Sequence, residues 1–130
     1  MPLDVVSRGG QTIAFVPVSI NGKGPFRFVL DTGASSSAVD DDVARQLRLP
    51  RTGRRQPITG VVGTQQVPVV ELHRWKVGTI RLAPADATVI DMRIQKGGPD
   101  IQGLLGSDVL SRFGSITVDY RHEVLRLPAD

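Results

Sequence analysis

An aspartate, a threonine and a glycine (Asp31, Thr32, Gly33) follow the apolar run "FRFVL", Phe26 to Leu30, without a break. A carboxylate placed there has two ordinary uses. It accepts backbone N–H groups in a turn, as aspartate does in most loops, or it moves a proton as a general acid or base. One carboxylate cannot hold both states at once, whereas two set close together share a single proton because both cannot ionise cheaply. Chemistry at Asp31 therefore raises the question of a second aspartate. The chain contains one D-[ST]-G triplet and no internal repeat. Asp108, in "GSDVL", and Asp119, in "TVDY", read as surface or capping residues.

The elements that must position Asp31 are mostly strands, because the dominant period is two and the punctuation is glycine and proline. "TIAFVPVSI", Thr12 to Ile20, reads as a buried strand in which Pro17 marks an edge or a bulge. "NGKGP", Asn21 to Pro25, is turn chemistry, so "FRFVL" is the return strand of a hairpin. "DDDVARQLRLP" predicts one short helix, with aspartates at its start, arginines in its last turn and Pro50 as the stop. From Pro57 the strand signals resume as a long hairpin whose tip is Gly60 to Gly63, followed by a strand through Trp75 to Leu82. "ADATVID" is a further strand and "KGGPD", Lys96 to Asp100, a mobile loop. "GLLG" is a very short buried strand, and "SDVLSRF" a helical turn or two capped by Ser107 and closed by Gly114. "SITVDY" and "EVLRL" form the last hairpin. The expected fold is mainly β, a closed or partly closed barrel with one or two short helices.

At 130 residues the chain fits one domain, 1–130, with one core. Its formal charge is +3, mostly from scattered arginines apart from Arg51, Arg54 and Arg55. No aromatic residues interleave with them as base stacking needs, so a soluble basic surface is expected and nucleic acid is not. There is no cysteine, hence neither disulfide nor thiolate nucleophile. His73 and His122 lack neighbours at ligand spacing, so no metal site is expected. No stretch has the length of a membrane span, and "MPLDVV" lacks the regions of a signal peptide. The chain as given suits the cytoplasm, or the periplasm or a membrane anchor if a leader has been removed.

What gives the triplet weight is its company: the apolar strand before it, "GASSSA" after it, the glycine-bearing "ITGVVG" some thirty residues on, "LLG" before a short helix, and the closing "VDYRHEVLRL". That ordered set, from about Ile13 to Leu127, resembles the retropepsin-like aspartic peptidases, single-lobed relatives of pepsin that include the retroviral proteases. The resemblance implies that Asp31 is catalytic, that Thr32 hydrogen-bonds across the active-site turn to its counterpart, and that Gly33 leaves room for the turn and offers its N–H to the carboxylate. It implies that Leu104, Leu105 and Gly106 thread beneath that turn, where a side chain on Gly106 would collide with backbone. Ile58, Thr59, Gly60, Val61, Val62 and Gly63, with Thr64, match the flap that closes over bound peptide. Ala34, Ser35, Leu104 and Leu105 join the flap residues as the expected substrate-binding set. Two departures point away from the viral branch. Viral enzymes usually pair an acidic residue at the position of Ser35 with an arginine at that of Ser107; here both are serine, which suggests a neutral network. The flap also lacks the aromatic residue of the pepsin flap.

The resemblance implies peptide hydrolysis by a water activated between two aspartates, with no metal or organic cofactor. With a single triplet, the second aspartate comes from another copy of the chain, since a two-fold axis brings a residue lying on it against itself. The expected partners are a peptide or protein substrate and a second protomer. Other readings are a non-catalytic module that keeps the fold to bind peptides or to dimerise, one half of a tandem two-domain protease, and a nucleic-acid-binding barrel resting only on the basic balance.

Overall fold

In the computed structural model the described residues are 4–8, 11–31, 33–60, 63–92, 101–113, 117–119 and 124–126. Thr32, Val61 and Val62, the "KGGPD" loop and Gly114 lie outside them. The strands are β1 (Asp4–Arg8), β2 (Gln11–Ile20), β3 (Lys23–Leu30), β4 (Ala38–Asp40), β5 (Arg51–Gly60) and β6 (Gly63–Leu72). They continue with β7 (Trp75–Val77), β8 (Ile80–Leu82), β9 (Ala85–Ile90), β10 (Gly103–Leu105), β11 (Thr117–Asp119) and β12 (Val124–Arg126). Helix α1 covers Asp41–Gln46, and α2, Ser107–Leu110, runs into a 3-10 turn at Ser111–Phe113.

One sheet of ten strands follows the path β5-β6-β9-β4-β10-β3-β2-β7-β8, with β1 added on β2, and β11 pairs with β12 separately. Among the described residues this path is open, ending at β5 and β8, and is not a closed barrel. β10 is inserted between two strands far earlier in the chain, parallel to β3 and antiparallel to β4. Its residues are buried on both faces: Leu105 joins the main core around Phe28, Ile20, Leu72 and Trp75, while Leu104 joins a second cluster with Phe15, Met92 and Ile101. Side chains alternate across a strand, so two successive leucines serve two cores, and each burial is worth about 1.5–3 kcal/mol.

Pro17 sits where β2 changes partner. β1 pairs as far as Phe15 and β7 begins at Val18, so the missing N–H falls in the gap between them. Against β3, Pro17 pairs in regular register with Arg27, and the register shifts only beyond it, between Val18 and Ile20. Asn21 and Gly22 make the hairpin turn with positive φ, as anticipated.

Four expectations are corrected. The strand through Trp75 to Leu82 is two strands in a tight hairpin, because Gly78 takes a left-handed conformation at φ 60° and reverses the chain. The long hairpin starts at Arg51 rather than Pro57; its polar residues lie on an exposed strand at the end of the sheet, where charge also blunts edge-to-edge association. β1 was not foreseen. Helix α2 is preceded by Gly106 as N-cap with no side-chain cap, so Ser107 is its first residue and not its cap. Helix α1 begins as expected: the Asp40 carboxylate accepts from the Asp42 N–H, and Asp41 and Asp42 occupy the first turn, where negative charge suits the helix dipole.

Candidate active site

β3 carries the chain to Asp31, which is half-buried at its end. Three hydrogen bonds fix the turn. The Asp31 N–H donates to the Leu105 carbonyl at 3.0 Å and the Ala34 N–H to the Asp31 carbonyl at 3.2 Å. The Gly33 N–H reaches Asp31 Oδ1 at 3.1 Å. The last contact is the one that the resemblance implies for Gly33, whereas a Cβ at Gly33 would meet Asp31 Oδ1 at 3.4 Å, an ordinary contact. The role expected of Thr32 falls on a residue outside the described set.

The turn has a floor because of the strand order. Residues 31–37 connect β3 to β4, which lie on either side of β10, so this loop must cross over the end of β10 at Gly106. A Cβ on Gly106 would lie 2.8 Å from the Ala34 carbonyl oxygen and 2.9 Å from the backbone carbon and oxygen of Ser36. The glycine is required for space: its φ of −97° suits any residue. Immediately beyond it, the Ser107 N–H donates to the Ala34 carbonyl at 2.7 Å. Gly103, at the other end of β10, lies opposite Phe28 in the parallel register. A Cβ there would meet the buried Phe28 ring at 2.2 Å.

A second fastening was not visible in the sequence. Ser37 is 1% exposed. Its Oγ–H donates to Asp108 Oδ1 at 2.8 Å, its N–H donates to Asp108 Oδ2 at 3.0 Å, and its Oγ accepts the Gly106 N–H at 3.0 Å. Asp108 Oδ1 also accepts the Val109 N–H at 2.9 Å. Asp108 is exposed, as expected of a surface residue, and also ties helix α2 to the end of the loop that carries Asp31 through charge-assisted bonds. Both of its oxygens are engaged. The only signals that could have found the pair are a serine closing the "SSS" run and an acidic residue two positions after Gly106; neither has a period to reveal it.

The β5–β6 hairpin pairs Gly60 with Gly63, and Ile58 and Thr59 occupy the last positions of β5. Gln56, farther down β5, donates from Nε2 to Ser36 Oγ at 2.7 Å. This bond links the hairpin to the loop that carries Asp31. Of the other expected substrate-binding residues, Ala34 is half-buried and Ser35 exposed beside the turn. Leu104 and Leu105 are 3% and 1% exposed. Their side chains belong to the two cores, and what this segment gives the site is its main chain.

A concavity of about 490 Å³ between α1 and the β5–β6 hairpin, lined by Ala44, Leu49, Val67 and Val89 among others, does not include Asp31. Carboxylate oxygens of Asp40, Asp41 and Asp91 lie within 4.8 Å of one another. Two of them have structural work: Asp40 accepts the Asp42 and Met92 N–H groups, and Asp41 Oδ2 faces Arg45. No helix among the described residues is long and apolar enough to cross a membrane.

Residues 16–109 match the family model described as Aspartyl protease. Among curated proteins, nothing matches the chain. Among solved structures, the retroviral protease-like domain of Ddi1 from Leishmania major superposes with a TM-score of 0.62 at 22% identity, covering 88% of this chain and 87% of that one. A retropepsin-like aspartic protease from Rickettsia conorii gives 0.59 at 20% identity, covering 90% and 84%. At such identities the likeness is one of fold, and it is the retropepsin-like fold.

Proposed function

Since the chain belongs to the aspartyl protease family, we propose that it is an aspartic endopeptidase, working as a homodimer in which each protomer supplies Asp31, Thr32 and one flap. The observation that carries this reading is the Asp31 turn, held by the Leu105 carbonyl from beneath and by the Gly33 N–H on its carboxylate. A carboxylate that served only to close its own loop would not need a second strand threaded under it.

In the proposed mechanism the two Asp31 carboxylates share one proton and hold a water between them. The ionised member takes a proton from the water as it attacks the scissile carbonyl. The protonated member polarises that carbonyl oxygen, and a proton then passes to the leaving amine. Substrate lies extended between the β5–β6 hairpin and the turn, adding main-chain hydrogen bonds as a strand would. Asp108 is a poor candidate for the second carboxylate because Ser37 and Val109 occupy both its oxygens. A second copy of the chain is therefore the proposed source.

The test is cleavage of a mixed peptide pool by the purified chain, read by mass spectrometry. Wild type should cut and be blocked by an aspartic-peptidase inhibitor. Asp31→Asn should fold normally and cut nothing, because an amide cannot accept the water's proton. Cleavage by a clean Asp31→Asn preparation at the wild-type rate would remove Asp31 from the mechanism.

A further inference from the structure

The far end of the β2–β3 hairpin carries charge of one sign. Lys23 to Leu30 spans seven residue steps of about 3.3 Å, which puts the Asn21–Gly22 turn roughly 23 Å or more from Asp31. There β7 pairs with the last residues of β2, and β8 forms the end of the sheet. Trp75, Val77 and Leu82 point into the core, which leaves Lys76 and Arg81 exposed on the outer face. These two cations lie directly opposite each other in register, and Ser19 of β2 is the next neighbour of Lys76. Arg74, also exposed, lines the same recess together with Asn21 and Thr79. Among the described residues no carboxylate pairs with Arg74, Lys76 or Arg81. Like charges facing each other across two strands destabilise a hairpin. Here the hairpin tolerates them with no neutralising neighbour among the described residues.

We infer that this recess is a docking site for an acidic segment of a partner protein, separate from the Asp31 turn. The two arginines offer charge-assisted, fork-shaped hydrogen bonds that match carboxylates, and Lys76 adds a compact point charge. Ser19, Thr79 and Asn21 add neutral donors beside them. A nucleic acid fits less well on two counts. The described aromatic side chains, Phe15, Phe26, Phe28 and Trp75, are all buried, so among the described residues none is exposed to stack on a base. The adjoining recess, which shares His73, is lined by Glu71 and Asp86, and a phosphate backbone running on from the cations would meet those carboxylates. The cationic stretch is therefore short, suited to a few consecutive acidic side chains.

The experiment is fluorescence anisotropy of labelled hexaglutamate titrated with the full chain. Saturable binding that weakens with added salt is expected. The Lys76→Glu/Arg81→Glu variant should bind on the order of tenfold more weakly or worse, while Arg48→Glu/Arg51→Glu, an equal change of charge elsewhere, should bind as wild type does. Lys76→Glu alone sets opposite charges across the β7–β8 pair. Its melting temperature should match or exceed that of wild type, which separates lost binding from lost folding. The inference fails if hexaglutamate does not bind saturably, if both double variants lose binding equally, or if oligothymidylate of matched charge binds more tightly than the peptide.

Discussion

Gly106 leaves no room for even one more carbon. The atoms a Cβ would strike are all main chain, so relief requires the Asp31 loop itself to move. Gly106→Ala should cost about 1–3 kcal/mol by denaturant titration and should depress cleavage further by displacing the turn. A variant as stable as wild type would mean the crossing is looser than described. Ser37→Ala tests the fastening beside it: the change strands the Gly106 N–H and one bond to Asp108, and should lower stability by about 1–3 kcal/mol. Sequence reasoning reached Gly106, whose need for space follows from a motif. It missed Ser37 and Asp108, because a hydrogen bond between residues 71 apart in the chain leaves no local pattern. It also listed Leu104 and Leu105 as substrate contacts, when burial on both faces of β10 gives their side chains to the cores.

At the scale of elements, strands were legible wherever one face is buried and the other wet. The β2–β3 turn was plain from Asn21 and Gly22, and the long hairpin was placed correctly about its Gly60–Gly63 tip. Between Trp75 and Leu82 the break was legible but missed: the apolar positions step from 75 and 77 to 80 and 82, a shift of phase across Gly78 and Thr79, where the chain reverses. Alternation was silent over Arg51 to Gln56, where an exposed strand has no apolar face to announce it. The hairpin tip supplies a test of the flap. Gly63 has φ 94° with open space around it, so a larger residue meets backbone strain and no collision. Gly63→Val should cost about 1–3 kcal/mol in stability and slow turnover by more than that loss explains, through hindered closure. Turnover at the wild-type rate would mean that the β5–β6 hairpin does not close over substrate.

For the whole molecule, composition and period indicated one mainly β domain but not the order of its strands, since neither records which strands become neighbours. The open path of the sheet and the placement of β10 between β3 and β4 are tertiary facts. The proposed dimer would likewise be a property of the assembly. If each site needs Asp31 from two chains, an equal mixture of wild type and Asp31→Asn, allowed to exchange subunits, should leave about a quarter of dimers with both carboxylates. Activity should fall below the half expected from dilution alone, and activity per chain should drop again when wild type is diluted toward monomer. A mixture that keeps half its activity would count against a shared site. The threading of β10 also sets a timetable. Arg27 and Gln102, which bond to each other beside this strand, are 75 residues apart, and contacts of such long range form late because the chain must first lose its closure entropy. During synthesis, before Gly103 to Asp108 have been made, the nascent chain holds Asp31 but lacks the Leu105 carbonyl and the Gly106 crossing, so the turn around Asp31 is completed only by residues made some seventy positions later.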